Sequence, residues 1–153
     1  MNRNRSGKEK KVYLVQIDGS ARCNPGPAGI GVRIISPEGR VIKEVSRFIG
    51  KRTNNQAEYE ALIWALNEIR LWGNYRFVIQ TDSELLYYQL NGRYRVRNEQ
   101  LKNLHNRAKR LLSALPDATI ALVSRETNRA TDRLAKAASG AGSSVVDEEK
   151  LRF

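Results

Sequence analysis

Four carboxylates stand where strands end or helices begin: Asp18, Glu58, Asp82 and Asp132. Asp18 closes an apolar run and is followed by Gly19. Asp82 closes another, just before Ser83. Glu58 shares a helical stripe with Leu62 and Ile69, a poor place for an acid without a purpose. Asp132 falls in the first turn of the last helical segment. Each has an ordinary reading as a surface acid or as a helix-start acid that complements the dipole. For Asp82 and Asp132 taken singly, that reading is as good as a functional one. Four acids gathered without a cation would repel and raise one another's pKa. A hard divalent ion with oxygen ligands, Mg²⁺ or Mn²⁺, resolves that repulsion. On a strongly basic chain, such a cluster points to phosphodiester chemistry.

The elements that must position these acids are legible in the pattern. Residues 11–18 read KVYLVQID, β-branched and aromatic, and predict a strand. Asn24-Pro25-Gly26-Pro27 predicts a turn. A second strand over 29–35 and a third over 41–49 flank the hairpin chemistry of Ser36-Pro37-Glu38-Gly39. From Thr53 the period changes, and Glu58, Leu62, Ala65, Leu66 and Ile69 share one helical face, with Gly73 as the stop. Residues 77–81 predict a short strand. A helix capped by Asp82 or Ser83 follows and stops at Asn91-Gly92. Leu101, Leu104, Ala108, Leu111, Leu112 and Leu115 stripe a longer helix closed by Pro116. A fifth strand is expected over 118–124 and a last helix over 128–139. The order β-β-β-α-β-α-α-β-α describes an α/β fold, a five-stranded mixed sheet flanked by helices. Strand ends and following helix starts gather at one rim of such a sheet, where sites form.

The chain has 153 residues, about the size of one domain. No apolar run approaches the roughly 20 residues of a membrane span, and residues 1–11 contain no apolar signal segment. One cysteine, Cys23, rules out an internal disulfide and suits a reducing, cytoplasmic setting; it is expected to pack near its turn. One Cys and one His cannot build a structural zinc site. The net charge is +11, with 27 Lys and Arg against 16 Asp and Glu. Residues 1–11 hold five cations against one acid, and residues 93–110 hold seven against one. Such a concentrated footprint fits a polyanion, most often nucleic acid; the plainer alternative is a solvated helix face plus a disordered arm. Trp64, Trp72, Tyr87 and Tyr88 read as packing residues rather than base-stacking platforms.

The motifs resemble those of the type 1 ribonuclease H family. Residues 18–29, DGSARCNPGPAG, resemble its opening motif; Thr53-Asn54-Asn55-Gln56-Ala57-Glu58 its second; Thr81-Asp82-Ser83 its third; and residues 125–135, RETNRATDRLA, its last. They occur in order, with family-like spacing, across about 11–139. The resemblance implies an endoribonuclease that cuts the RNA strand of an RNA–DNA hybrid and leaves 5′-phosphate and 3′-hydroxyl ends. It implies two Mg²⁺ per site, with Mn²⁺ as an alternative. Asp18 would bridge both metals, Asp132 would complete the one holding the attacking water, and Glu58 and Asp82 would hold the leaving-group side. It also implies that Asn24, Asn54 and Asn55 read the RNA strand in the minor groove. Lys51, Thr53 and Asn98 would form a pocket for a phosphate of the DNA strand. As plain structure, Asn24 would be a turn residue and Thr53 a helix cap.

The chain departs from well-known members in three ways. The link 91–97 is too short for an extra basic helix, and Arg93, Arg95 and Arg97 are expected to replace part of it. Residues 1–10 read as a basic flexible arm, too short for a hybrid-binding domain, and 140–153 as a loose C-terminal tail. The loop before the last helix lacks a histidine, which leaves Arg125 and Glu126 as auxiliary candidates; Glu126 could carry a proton only if its neighbours raised its pKa. His105 is expected to stay out of the chemistry. A monomer, with no membrane association, is expected. Two other functions fit less well: another nuclease of the same fold, such as a junction resolvase or transposase core, and a domain that holds nucleic acid without cutting it.

Overall fold

Alternation along the first strand puts Val15 and Ile17 on one side of the backbone and Gln16 and Asp18 on the other. That split organises the molecule. The structure, a computed structural model, describes residues 10–73, 75–141 and 145–147. Val12–Ala21 (β1), Gly26–Ile35 (β2) and Val41–Arg52 (β3) form an antiparallel meander. Asn54–Ile69 (α1) leads to Arg76–Thr81 (β4), which runs parallel to β1. Glu84–Leu90 (α2), Glu99–Ser113 (α3), Ala118–Leu122 (β5) and Arg129–Ala141 (α4) follow, and β5 lies parallel to β4. The five strands stand in the order β5-β4-β1-β2-β3, the mixed sheet expected. Three tail residues, Val145–Asp147 (β6), add antiparallel to β3 at Glu44–Ser46.

Several boundaries differ from the sequence reading. The first strand runs on to Ala21, and the second begins at Gly26, inside the expected turn. The turn shrinks to residues 22–25, closed by Arg22 N–H donating to the Pro27 carbonyl at 2.9 Å, with a cis Asn24–Pro25 bond. Cys23 is exposed there, at φ 58°, rather than packed. The first helix ends at Ile69, short of Gly73, because the chain turns there through Trp72 N–H to the Ile69 carbonyl. The fifth strand stops at Leu122, where its pairing with Thr81 ends. The basic arm lies, apart from Lys10, outside the described residues. Lys10 itself pairs with Asp117. Among the described residues no helix is long and apolar enough to cross a membrane.

The core fills the α1 face of the sheet. Val15, Ile17, Ile30, Val32, Ile34 and Ile79 meet Tyr59, Leu62, Leu66 and Ile69 of α1, all essentially buried. Each aliphatic side chain contributes about 1.5–3 kcal/mol by leaving water. Trp64 and Trp72 pack against this core, as packing residues should. The other face is covered by α4 with small side chains: Thr131, Ala135 and Ala138 are buried. A Cβ at Gly31 would lie 2.4 Å from the Thr131 carbonyl oxygen, and one at Gly29 would lie 2.5 Å from the Ala138 Cβ. Glycine on β2 is what lets α4 come this close.

Candidate active site

The sheet rim collects the four acids from four elements: Asp18 from β1, Glu58 from α1, Asp82 from the end of β4 and Asp132 from α4. α1 begins with a capping box, the Thr53 hydroxyl accepting the Gln56 N–H at 3.1 Å and the Gln56 side chain accepting the Thr53 N–H at 2.9 Å. That places Glu58 in the second turn, against β1. The approach depends on Gly19, where a Cβ would lie 2.3 Å from the Ala57 carbonyl carbon. Glu58 accepts the Gly19 N–H. Ser83 caps α2 through the Leu86 N–H at 3.1 Å and also hydrogen-bonds Glu58.

Single oxygens of Asp18, Glu58 and Asp82 lie within 4.8 Å of one another. Asp132 stands outside that trio and reaches it through a hydrogen bond with Asp18. Asp18 and Glu58 are buried, at 5% and 8% exposure. Burial, then the charge of Glu58 and its hydrogen bond, push Asp18 far above the carboxylate range. Burial also raises Glu58, against the opposing hydrogen bonds from Asp18, the Gly19 N–H and Ser83. Asp82 is raised by burial and by the charge of Asp132, while Arg125 opposes. Asp132 departs from the expectation that all four acids rise. Burial pulls it up, but the Asp18 hydrogen bond, Lys136 and Arg125 outweigh that and hold it below its ordinary value. Lys136 pairs with it at 3.0 Å across one helical turn, an i,i+4 relation visible in the sequence. Two buried acids and a half-buried third, gathered against their own charge, are what a divalent-cation site looks like before the ion supplies compensation.

A cavity of about 940 Å³ opens on the acids and is also lined by Asn54, Asn55, Ser83, Arg125, Glu126, Arg129 and Lys136. Arg125 and Glu126 therefore reach the site, both exposed at its rim. His105 is not among the lining residues; its Nδ1 lies 3.1 Å from the Tyr59 hydroxyl between α1 and α3.

The other expected contacts form a connected surface. Asn24, Thr53, Asn55 and Asn98 line one hollow of about 230 Å³ together with Gln56 and Gln100. Lys51 lies instead in an adjoining hollow with Thr53, Arg52, Gln56, Gln100 and Asn103. Lys51 and Asn98 are thus brought to neighbouring hollows that share Thr53, Gln56 and Gln100. The sequence reading missed Gln56 and Gln100, whose amides join at 2.9 Å; Gln56 in the capping box is the signal for the first, and nothing local marks the second. Both plain readings also hold: Asn24 lies in the turn 22–25 and Thr53 caps α1; the Asn98 side chain in addition caps α3 through the Leu101 N–H at 3.0 Å. Arg93, Arg95 and Arg97 are all exposed, with Val96 buried among them.

Known proteins share this arrangement. A family model described as Reverse transcriptase-like matches residues 16–138. Ribonuclease HI of Halobacterium salinarum is 40% identical over 121 residues, 79% of this chain and 61% of that protein. Bifunctional protein Rv2228c of Mycobacterium tuberculosis is 34% identical over 143 residues, 92% of this chain and 39% of that protein. The chain thus spans less than two thirds of the length of these relatives. The crystal structure of RNase H1 from Halobacterium salinarum matches with TM-score 0.80 at 37% identity, covering 85% of this chain and 98% of that one. LC11-RNase H1, solved in complex with an RNA/DNA hybrid, matches with TM-score 0.79 at 36% identity, again over 85% and 98%. Four acids at one rim, carried on these motifs, and a fold and sequence similar to these relatives place the chain in the type 1 ribonuclease H family.

Proposed function

We infer that the protein is a metal-dependent endoribonuclease that hydrolyses the RNA strand of RNA–DNA hybrids, giving 5′-phosphate and 3′-hydroxyl ends. The convergence of four acids from four elements on one open cavity carries the reading. The acids divide into a trio, Asp18, Glu58 and Asp82, and a pair, Asp18 and Asp132, with Asp18 common to both. That division suits two cation positions bridged by Asp18, with Asp132 on the water side and Glu58 and Asp82 on the leaving-group side. Two Mg²⁺ ions held by these four acids would supply a water nucleophile at neutral pH and offset charge on the leaving oxygen, and Mn²⁺ would serve as well. The chain's own residues orient the substrate. Arg125 and Arg129 at the rim offer fixed positive charge to a phosphate. Glu126 stands beside Arg125 at the same rim.

The asparagines have a shared polarity. Asn54 Oδ1 accepts the Ala21 N–H at 2.8 Å, Asn24 Oδ1 accepts the Asn54 N–H at 2.8 Å, and Asn98 Oδ1 accepts the Leu101 N–H. In each, one lone pair of the oxygen is spent inside the protein, and both hydrogens of the NH₂ group are left for a ligand. Donors suit the acceptor atoms of a minor groove and its 2′-hydroxyls for Asn24 and Asn54, joined by Asn55. They equally suit a DNA-strand phosphate beside Thr53, Asn98 and Lys51. Residues 11–139 form the working domain in this reading; of the expected loose tail, residues 140 and 141 instead complete α4 and Val145–Asp147 pair with β3. The protein acts as a monomer in the cytoplasm, away from membranes. Mg²⁺-dependent cleavage of matched hybrid, double-stranded RNA and double-stranded DNA tests it. Cutting confined to the RNA strand of the hybrid is expected; cutting of double-stranded DNA would favour a resolvase-like nuclease, and binding without cutting a non-catalytic domain.

A further inference from the structure

Gln16 is an unusual side chain for the middle of a central strand. It is 5% exposed, and its amide is fully engaged. Oε1 accepts from the Arg33 guanidinium at 3.0 Å and from the Thr131 hydroxyl at 3.2 Å. Nε2 donates to Gln80 Oε1 at 3.1 Å and to the Thr127 carbonyl at 3.4 Å. Two of these four bonds bracket the start of α4: Thr127 precedes the helix, and Thr131 is the residue before Asp132. Asn128, fully buried, adds a third tie, its Nδ2 donating to the Ile17 carbonyl at 2.8 Å. Its own carbonyl accepts the Asp132 N–H at 3.0 Å. The first turn of α4 therefore hangs from residues 16 and 17 of β1, and Asp18 is the next residue along.

We propose that Gln16, acting through Thr131 and together with Asn128, is a positioning residue that sets Asp132 against Asp18. The proposal rests on the nuclease reading of this site. Its physical basis is the way α4 is packed. Ala135 and Ala138 over Gly29 and Gly31 allow close contact but interlock little, so small residues leave the helix free to slide along its axis. Directional hydrogen bonds remove that freedom, and the Gln16 amide, with both donors and both acceptor positions used, specifies one geometry; in the same network Asn128 Oδ1 is buried without a partner. None of the three residues is in the acid cluster, so their effect on it is indirect.

Gln16→Leu and Thr131→Val remove the network at nearly constant volume, and Thr131→Ser restores the hydroxyl. Folded fraction, kcat and KM on the hybrid, the Mg²⁺ dependence of the rate, and calorimetric binding of Mn²⁺ to the free protein are measured together. Gln16→Leu should lower kcat at least tenfold with KM within twofold, and raise the Mg²⁺ concentration for half-maximal rate. Mn²⁺ binding by the trio should stay within twofold, while binding that requires Asp132 weakens. Thr131→Val should go the same way and Thr131→Ser should match wild type. A Gln16→Leu protein with wild-type kcat, Mg²⁺ dependence and Mn²⁺ binding per folded molecule overturns the proposal, however much its melting temperature falls. If Gln16→Leu does not fold, Thr131→Val decides by the same criteria. Absence of cleavage by the wild type would instead overturn the nuclease reading, and the Mn²⁺ comparison would still decide the role of Gln16.

Discussion

On one face of the sheet, α1 buries a continuous set of aliphatic side chains against β1, β2 and β4. On the other, α4 lies on glycines and is tied by a chain of amides and hydroxyls. The first face supplies stability through area and interlocking volume. The second supplies little area and much direction. The acids sit where the two meet: Glu58 arrives on the packed helix and Asp132 on the tied one. Asp18 lies on the strand between them. A site that needs charges held at a fixed separation is thus built on one wall held by packing and one held by directed hydrogen bonds.

The largest test removes the shared acid. Asp18→Asn should abolish Mg²⁺-dependent cleavage while hybrid binding survives. The same change should stabilise the metal-free protein. Burial raises Asp18, Glu58 and Asp82 above their ordinary values. An acid raised in the folded state favours that state when protonated, so its contribution is lost as pH climbs from the ordinary carboxyl values upward. Thermal melts in chelator at pH 5 and pH 8 should show Asp18→Asn gaining on wild type at pH 8, by about 1–3 kcal/mol, with little gain at pH 5. Equal stability at pH 8 would mean that the cluster is not strained by its own charge.

The next test sets the two walls against each other. Leu66→Ala on the packed wall should cost about 2–5 kcal/mol and leave kcat per folded molecule unchanged. Gly31→Ala on the tied wall forces a methyl group toward the Thr131 carbonyl, and overpacking of this kind costs about 1–3 kcal/mol. It should also lower kcat, because the displaced turn carries Asp132. Unfolding curves with single-turnover kinetics separate the cases; a Gly31→Ala protein with normal kcat would dissolve the distinction.

Smaller effects lie away from both walls. Replacing Arg93, Arg95 and Arg97 with Ala should flatten the log–log dependence of hybrid affinity on salt, and an unchanged slope would place the binding surface elsewhere. His105→Ala should leave turnover nearly intact. Burial, then Lys109, lower the His105 pKa, so the neutral ring supports the fold above its ordinary value of 6.5 and that support fades as pH falls. The variant should therefore differ from wild type more at pH 7.5 than at pH 5 in melting temperature. Loss of cleavage by folded His105→Ala protein would put that helix in the chemistry.

The packed wall was legible because it repeats. Glu58, Leu62, Leu66 and Ile69 mark a helical period, Thr53 and Gln56 mark its cap, and alternation along β1 marks its partner. The acids were legible by type and by the motifs around them. The tied wall was not. Gln16 meets Thr127 and Thr131 across more than a hundred residues, and a polar side chain in a strand announces no partner. The lowered pKa of Asp132 is legible only when Lys136, one helical turn on, is set against the repulsion of the other acids. The hollows near Thr53 were half legible, since caps can be read from a sequence and the meeting of Gln56 with Gln100 cannot.

The unspent amide hydrogens of Asn24 and Asn54 bear on where along a hybrid the cuts would fall. Every Watson–Crick pair presents an acceptor to the minor groove, at purine N3 or pyrimidine O2. A reader that meets the groove with these amide hydrogens finds a partner at every step and cannot tell A from U, or one strand order from the other. The one feature that meets it as a like group is the exocyclic amine of guanine. Cutting should therefore be almost blind to sequence, and the cleavage map of a long mixed hybrid should thin slightly where guanines face these two side chains.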